Sequence, residues 1–249
     1  MLLKDYYDKQ FAGNLADKIR EHFSQFNKNG FVGHVAESIA DKEYTERMKA
    51  FVSAFDKFLP SYPDAIRLFG KMLGPELKSF SVMYSDGAWL APIGKYVEAH
   101  CAEETEYFDL SLKFIHELTK RYTGEFAIRP LIQSFPRRTM EALTEWSKSK
   151  NAFVRRCSCE SLRVSLPWAK KMTAAVEQFD LYTKILDNLK NDEDPYVQRS
   201  VGNNLNDLYK YDPNKAFILI ERWQEENPTK NTLKIIRHGT RTARKEQNK

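Results

Sequence analysis

The sequence predicts an all-α protein, an α-α superhelix (a solenoid) of repeated helix pairs. Three observations carry this: apolar residues recur at helical spacing, strand signals are nearly absent, and one segment repeats at an offset of 43 residues. Between Tyr44 and Leu59, the positions Met48, Phe51, Val52, Phe55, Phe58 and Leu59 form one apolar stripe at three- and four-residue intervals. From Asp109 to Leu118 the same spacing runs through Leu112, Ile115 and Leu118. No sustained alternation of period two occurs, and no Asn-Gly or Asp-Gly turn joins apolar runs. The ten prolines, among them Pro63, Pro92, Pro130, Pro136, Pro195 and Pro213, mark expected helix starts and ends.

The repeat sets NAFVRRCSCESL from Asn151 beside DPYVQRSVGNNL from Asp194. Phe153 pairs with Tyr196, Val154 with Val197, Arg156 with Arg199 and Leu162 with Leu205. A period of 40–47 residues with two helices per unit is that of HEAT-type repeats. A weaker third copy is expected near Leu233, where IIRHGTR keeps the apolar-then-basic order. One helix pair cannot bury its apolar face alone, so the pairs stack and equivalent positions line up. Arg156, Arg199 and Arg237 or His238 are therefore expected to form a ladder on one face.

At 249 residues, with 42% hydrophobic and 29% charged residues and a mean hydropathy of −0.60, the composition is that of a globular protein. No apolar run approaches a membrane span. The segment MLLKDYYDKQFAG lacks the apolar region of a signal peptide, so a cytoplasmic protein with no membrane partner is expected. The chain is read as a single domain over 1–249: an N-terminal helical part (1–95), motif-bearing repeats (96–244) and a basic tail (245–249). Polar terminal helices imply a monomer. Three cysteines and five histidines show no metal-ligand spacing, and neither metal nor organic cofactor is expected.

Charge is segregated. Residues 129–171 hold ten Lys/Arg against three Glu, and residues 232–249 hold six against one, in a chain of net +5. A polyanion-binding face leaves that footprint, and a solvated helix surface with a basic tail fits the charge alone equally well. The ladder favours the binding face.

Individual acids are ambiguous by spacing. Glu125 and Arg129 would share one helix face as an i,i+4 ion pair. Glu160 lies among Arg155, Arg156 and Arg163, where it could simply neutralise neighbours, and Asp207 could be a surface carboxylate. Trp168, after Pro167, reads more readily as a core anchor than as a chemical group.

Four motifs occur in order: EFAIRP (125–130); Trp146 followed by VRR, Glu160 and LPW (166–168); DPYVQRSVGNNLNDLYKYDP (194–213); and IIRHGTRT (235–242). Together they resemble the bacterial HEAT-like-repeat DNA alkylation repair glycosylases, the AlkC branch more than its AlkD relatives. The resemblance implies hydrolysis of the N-glycosidic bond of cationic alkylated bases, 3-methyladenine and in this branch 3-methylcytosine, in duplex DNA. It implies Glu125, Glu160 and Asp207 as the acidic set facing the developing sugar cation, and Trp168 as the ring packed against that sugar. It implies work from the backbone side of bent DNA rather than extrusion of the base into a pocket. With the charge pattern it makes Arg129, Arg155, Arg156, Arg163, Arg199, Arg237, His238 and Arg241 the expected DNA contacts. The chain ends soon after IIRHGTRT, so the immunoglobulin-like domain of some AlkC relatives is expected to be missing. The competing readings are a non-catalytic binder of bent or branched DNA and a protein–protein scaffold.

Overall fold

A computed structural model describes residues 2–247; Met1, Asn248 and Lys249 lie outside the described residues, and with the last two goes part of the expected basic tail. All regular structure among these residues is helical, in a helical-repeat fold. The chain divides into two compact units, Met1–Ala127 and Ile128–Lys249. The helix Ala91–His100 runs across positions 95 and 96, where the N-terminal part and the motif-bearing repeats of the expected single domain adjoin. We number the α-helices of six residues or more in chain order.

The first unit contains α1 (Lys9–His22), α2 (Lys28–Ser38), α3 (Tyr44–Phe58), α4 (Tyr62–Met72), α5 (Ala91–His100) and α6 (Phe108–Thr119). Its core is aromatic. Phe31 stacks on Phe55 at 5.5 Å, and Phe55 meets Phe69 and Tyr96 edge-on at 5.3 and 5.6 Å. The apolar stripe of α3 explains this: Met48, Phe51 and Phe55 are buried, with Ala50 and Ala54 filling the stripe between them. In α6, Ile115 and Leu118 are buried as expected, joined by Phe108 and Phe114.

The second unit contains α7 (Arg129–Ser134), α8 (Pro136–Trp146), α9 (Ala152–Glu160), α10 (Phe179–Leu189), α11 (Pro195–Tyr211), α12 (Pro213–Glu225), α13 (Lys230–Gly239) and α14 (Arg241–Gln247). Prolines open six of the helices at their first or second position: Pro63, Pro92, Pro130, Pro136, Pro195 and Pro213. There a missing N–H costs nothing.

The 43-residue repeat is real at its start. Asn151 caps α9 by accepting from the N–H groups of Phe153 and Val154, and Asp194 caps α11 by accepting from Tyr196 and Val197. Val154 and Val197 are both fully buried, as are Leu162 and Leu205. The copies then diverge. α11 runs for 17 residues, but α9 stops after nine, so Leu162 lies past its end. Position 160 of the first copy is Glu, and its equivalent in the second, 203, is Asn.

α11 packs against α9, α12 and α13. It meets α13 closely, through glycine on both sides. A Cβ on Gly202 would sit 2.6 Å from His238 Cδ2, and one on Gly239 would sit 2.6 Å from Leu205 Cβ. Only glycine lets these backbones approach so far. Asn204, buried on α11, ties the helix to the end of α9 by donating to the Cys159 carbonyl at 2.8 Å.

Candidate functional site

Two carboxylates and one guanidinium form a buried cluster in the second unit. Glu160 ends α9 and Asp207 lies on α11; they are 6% and 5% exposed. Arg163 bridges them, its Nη1 donating to Glu160 Oε1 and its Nε to Asp207 Oδ2, each at 2.9 Å. Ser200 donates its hydroxyl to Glu160 Oε2 at 2.6 Å, and Arg156 Nη2 stands 3.8 Å from Oε1. Both oxygens of Glu160 are thus engaged. Asp207 differs: Oδ2 is held, whereas no described residue donates to Oδ1.

Burial pushes the Glu160 carboxyl upward, but the Arg156 and Arg163 charges and the bonds from Ser200 and Arg163 outweigh it, and its pKa ends below the ordinary 4.5. It is a carboxylate at neutral pH, unsuited to acting as a proton donor. A lowered folded value contributes stability above the unfolded value and loses it as pH falls through the folded one. The stability difference between wild type and Glu160→Gln is therefore expected to shrink as pH drops below about 4.5. Urea melts at pH 7 and below pH 4.5 measure it, and a difference independent of pH would be incompatible with this electrostatic account.

Trp168 is not a core anchor. Its side chain is 95% exposed, and its backbone sits at a φ of +63°. Left-handed backbone at a bulky residue costs about 1–3 kcal/mol, and such strain concentrates at working sites. The loop leaves after Arg163 and returns at Met172, whose N–H donates to the Val164 carbonyl at 3.2 Å. Trp168 stands at its tip.

A basic groove of about 370 Å³ lies between α11, α13 and α14, lined by Arg199, Lys234, Arg237, His238, Arg241 and Arg244. Asn203 organises it: its Oδ1 is 2.9 Å from His238 Nε2 and accepts from Arg241 Nη2 at 3.1 Å. Burial, then the charges of Arg241, Arg199 and Arg163, lower the His238 pKa below 6.5. At neutral pH it is therefore an uncharged donor. Arg241 in turn feels the charges of Asp207 and Arg163, so groove and carboxylates share one field.

The structure sorts the expected DNA contacts. Arg199, Arg237, His238 and Arg241 come together in the groove. Three others are engaged within the protein. Arg155 clamps Asp192 through Nε at 2.6 Å and Nη2 at 3.1 Å, and spends Nη1 on the carbonyls of Ser149 and Lys150. Arg163 is buried between its two acids. Arg129, 7% exposed, donates to three backbone carbonyls. Arg156 is half-buried beside Glu160 and does not line the groove, so the expected ladder loses its first rung. Lys234 and Arg244 were missed individually. The spacing 234, 237, 241, 244 is a helical stripe that points to both.

Glu125 belongs to the first unit and is 6% exposed. It lies in a turn over 125–128 instead of on a helix, and accepts from Thr123 Oγ1. The shared helix face expected with Arg129 does not exist, because the helix begins only at Arg129. Gly124 and Pro130 flank the turn, and both favour a break.

Residues 95–245 match the model of the family described as DNA alkylation repair enzyme. An uncharacterized protein of Bacillus subtilis (strain 168), YhaZ, is 30% identical over 250 residues, covering 99% of this chain and 66% of that protein. The solved structure of Pseudomonas fluorescens alkylpurine DNA glycosylase AlkC, bound to DNA containing an abasic site analog, matches with a TM-score of 0.81 and 29% identity. That match covers 97% of this chain and 64% of that one. The chain spans just under two thirds of the length of both.

Proposed function

The chain belongs to the DNA alkylation repair enzyme family, and on that premise we propose that it is a monofunctional DNA glycosylase acting on cationic alkylated bases, 3-methyladenine and 3-methylcytosine, in duplex DNA. The observation that carries this reading is the buried Glu160–Arg163–Asp207 cluster in one electrostatic field with a basic groove. In the reaction the C1′–N bond breaks and the base leaves with the bonding electrons, becoming neutral. Water then adds to C1′ and loses a proton. A cationic base needs no acid to help it leave, which suits ionised carboxylates.

What remains is to stabilise positive charge building on the deoxyribose. Asp207 offers the open oxygen, Oδ1, for that charge or for the attacking water. Glu160 adds negative potential, and Arg163 fixes both. Glu125 takes the carboxylate role that its EFAIRP motif implies. The exposed indole of Trp168 presents an electron-rich face to the sugar. The groove residues neutralise phosphates and set register without reading bases.

Release of free 3-methyladenine and 3-methylcytosine from methylated duplexes, scored beside binding to undamaged duplex, is the direct test. Binding without release would leave a non-catalytic DNA binder, and neither would leave a scaffold. The groove makes a separate prediction. The slope of log affinity against log salt should be near −0.9 per phosphate neutralised, and Arg199→Gln and Arg237→Gln should each flatten it by about one unit. Both should weaken damaged and undamaged duplexes alike. Fluorescence anisotropy titrations across salt measure this, and unchanged slopes in both variants would remove DNA from the groove.

A further inference from the structure

Arg129 carries the charge of a DNA contact but is buried, at 7% exposure. Its guanidinium is buried at the start of α7, and three of its hydrogen bonds go to backbone. Nη1 donates to the carbonyls of Ser161 and Arg163, both at 2.9 Å, and Nη2 to the carbonyl of Lys170 at 2.7 Å. Ser161 and Arg163 follow the end of α9, where helical carbonyls lack partners. Lys170 lies on the returning limb of the loop. One planar fork therefore joins the outgoing and returning strands, and Trp168 stands between them.

The indole needs such a clamp. At 95% exposure it gains almost nothing from packing, so the loop's backbone alone fixes where the ring points. That backbone holds a φ of +63°, a conformation that persists only where the surroundings over-determine it. Inside the loop the Ala169 N–H reaches the Leu166 carbonyl at 3.2 Å, a single turn bond. Hydrogen bonds from an ionised donor are the stronger kind, and Arg presents them in a fixed plane.

We propose that Arg129 is a positioning residue that acts through Trp168, by clamping the loop that presents the indole. This rests on the glycosylase reading, so its test has one arm that needs no excision. Trypsin is that arm, because Lys170 and Lys171 are exposed in the clamped limb. Cleavage after Lys170 or Lys171, located by mass, should be slow in wild type and several-fold faster in Arg129→Gln at temperatures where both remain folded. Arg129→Lys keeps the charge and some donors, guards against misfolding of the Gln variant, and should be intermediate. Equal cleavage in all three proteins would overturn the clamp, whatever the outcome for excision.

The second arm is a double-mutant cycle on single-turnover excision at saturating protein. Arg129→Gln alone should slow excision by about tenfold, no more than removal of the indole it positions, since a displaced catalytic group loses rate. In a Trp168→Ala background the same change should cost less than about twofold, because the group it positions is gone. A loss that persists in full without the indole would place Arg129's action elsewhere and sink the proposal. Affinity weakened in both backgrounds would make it a phosphate contact instead. If wild type releases no base, the glycosylase reading fails while trypsin still decides the clamp.

Discussion

Asp207→Asn is expected to slow base release by about 10²–10³-fold while leaving affinity for undamaged duplex within about twofold. That magnitude is typical for removing one group aimed at transition-state charge. The two side chains have the same shape, and Asn retains an oxygen to accept from Arg163 Nε, so the ground-state structure should hold. What disappears is the negative charge, with one lone-pair-bearing oxygen at the open position. Arg163 keeps Glu160 as a counter-charge. Asp207→Ala would instead leave a buried guanidinium short of a partner, a loss of about 3–5 kcal/mol that confuses folding with chemistry. Single-turnover kinetics, duplex affinity and Tm on the same preparation separate these effects. A rate near wild type would exclude Asp207 from the reaction.

The second large effect is at Trp168, where activity and stability should move apart. Truncating a buried tryptophan costs about 3–5 kcal/mol, but this ring is exposed to solvent and contributes no core. Trp168→Gly also removes the side chain from left-handed backbone, which glycine adopts freely. The variant should therefore melt at or slightly above the wild-type temperature, by a few degrees at most, while excision falls by about tenfold or more. Differential scanning calorimetry and single-turnover excision decide it together. A marked drop in Tm would show the ring packed in solution, and an unaltered excision rate would take it out of the site.

Much of the fold was legible because its signals are local. A proline opens a helix for steric reasons that need no tertiary context, and Asn151 and Asp194 cap their helices through bonds two and three residues away. The acids were legible only through motifs read together, since nothing in the spacing of Glu160 and Asp207 says that Arg163, 44 residues from Asp207, bridges them. The arginines were only half legible. Charge counting finds a basic segment, but Arg155 and Arg156 are adjacent and take different partners. Which arginine turns inward depends on distant acceptors such as Asp192 or the Lys170 carbonyl. Trp168 misled because Leu-Pro-Trp is apolar, and hydrophobicity alone cannot reveal a left-handed turn that throws a ring into solvent. The repeat misled at its end for a related reason, since a shared pattern through Leu162 hides a helix that stops at Glu160.

The divergence of the two repeat copies puts two different side chains in one slot of a shared scaffold. The same slot holds an acid in one copy, Glu160, and an amide in the other, Asn203, which organises His238 and Arg241. A duplicated module already supplies a backbone, a cap and a buried valine to each copy, so the side chain in this one slot is free to differ. The two copies still act as one unit, since Ser200 and Asp207 of the second copy reach Glu160 and Arg163 of the first. Altering Glu160 should change the rate of release, and altering Asn203 should change how firmly the duplex is held.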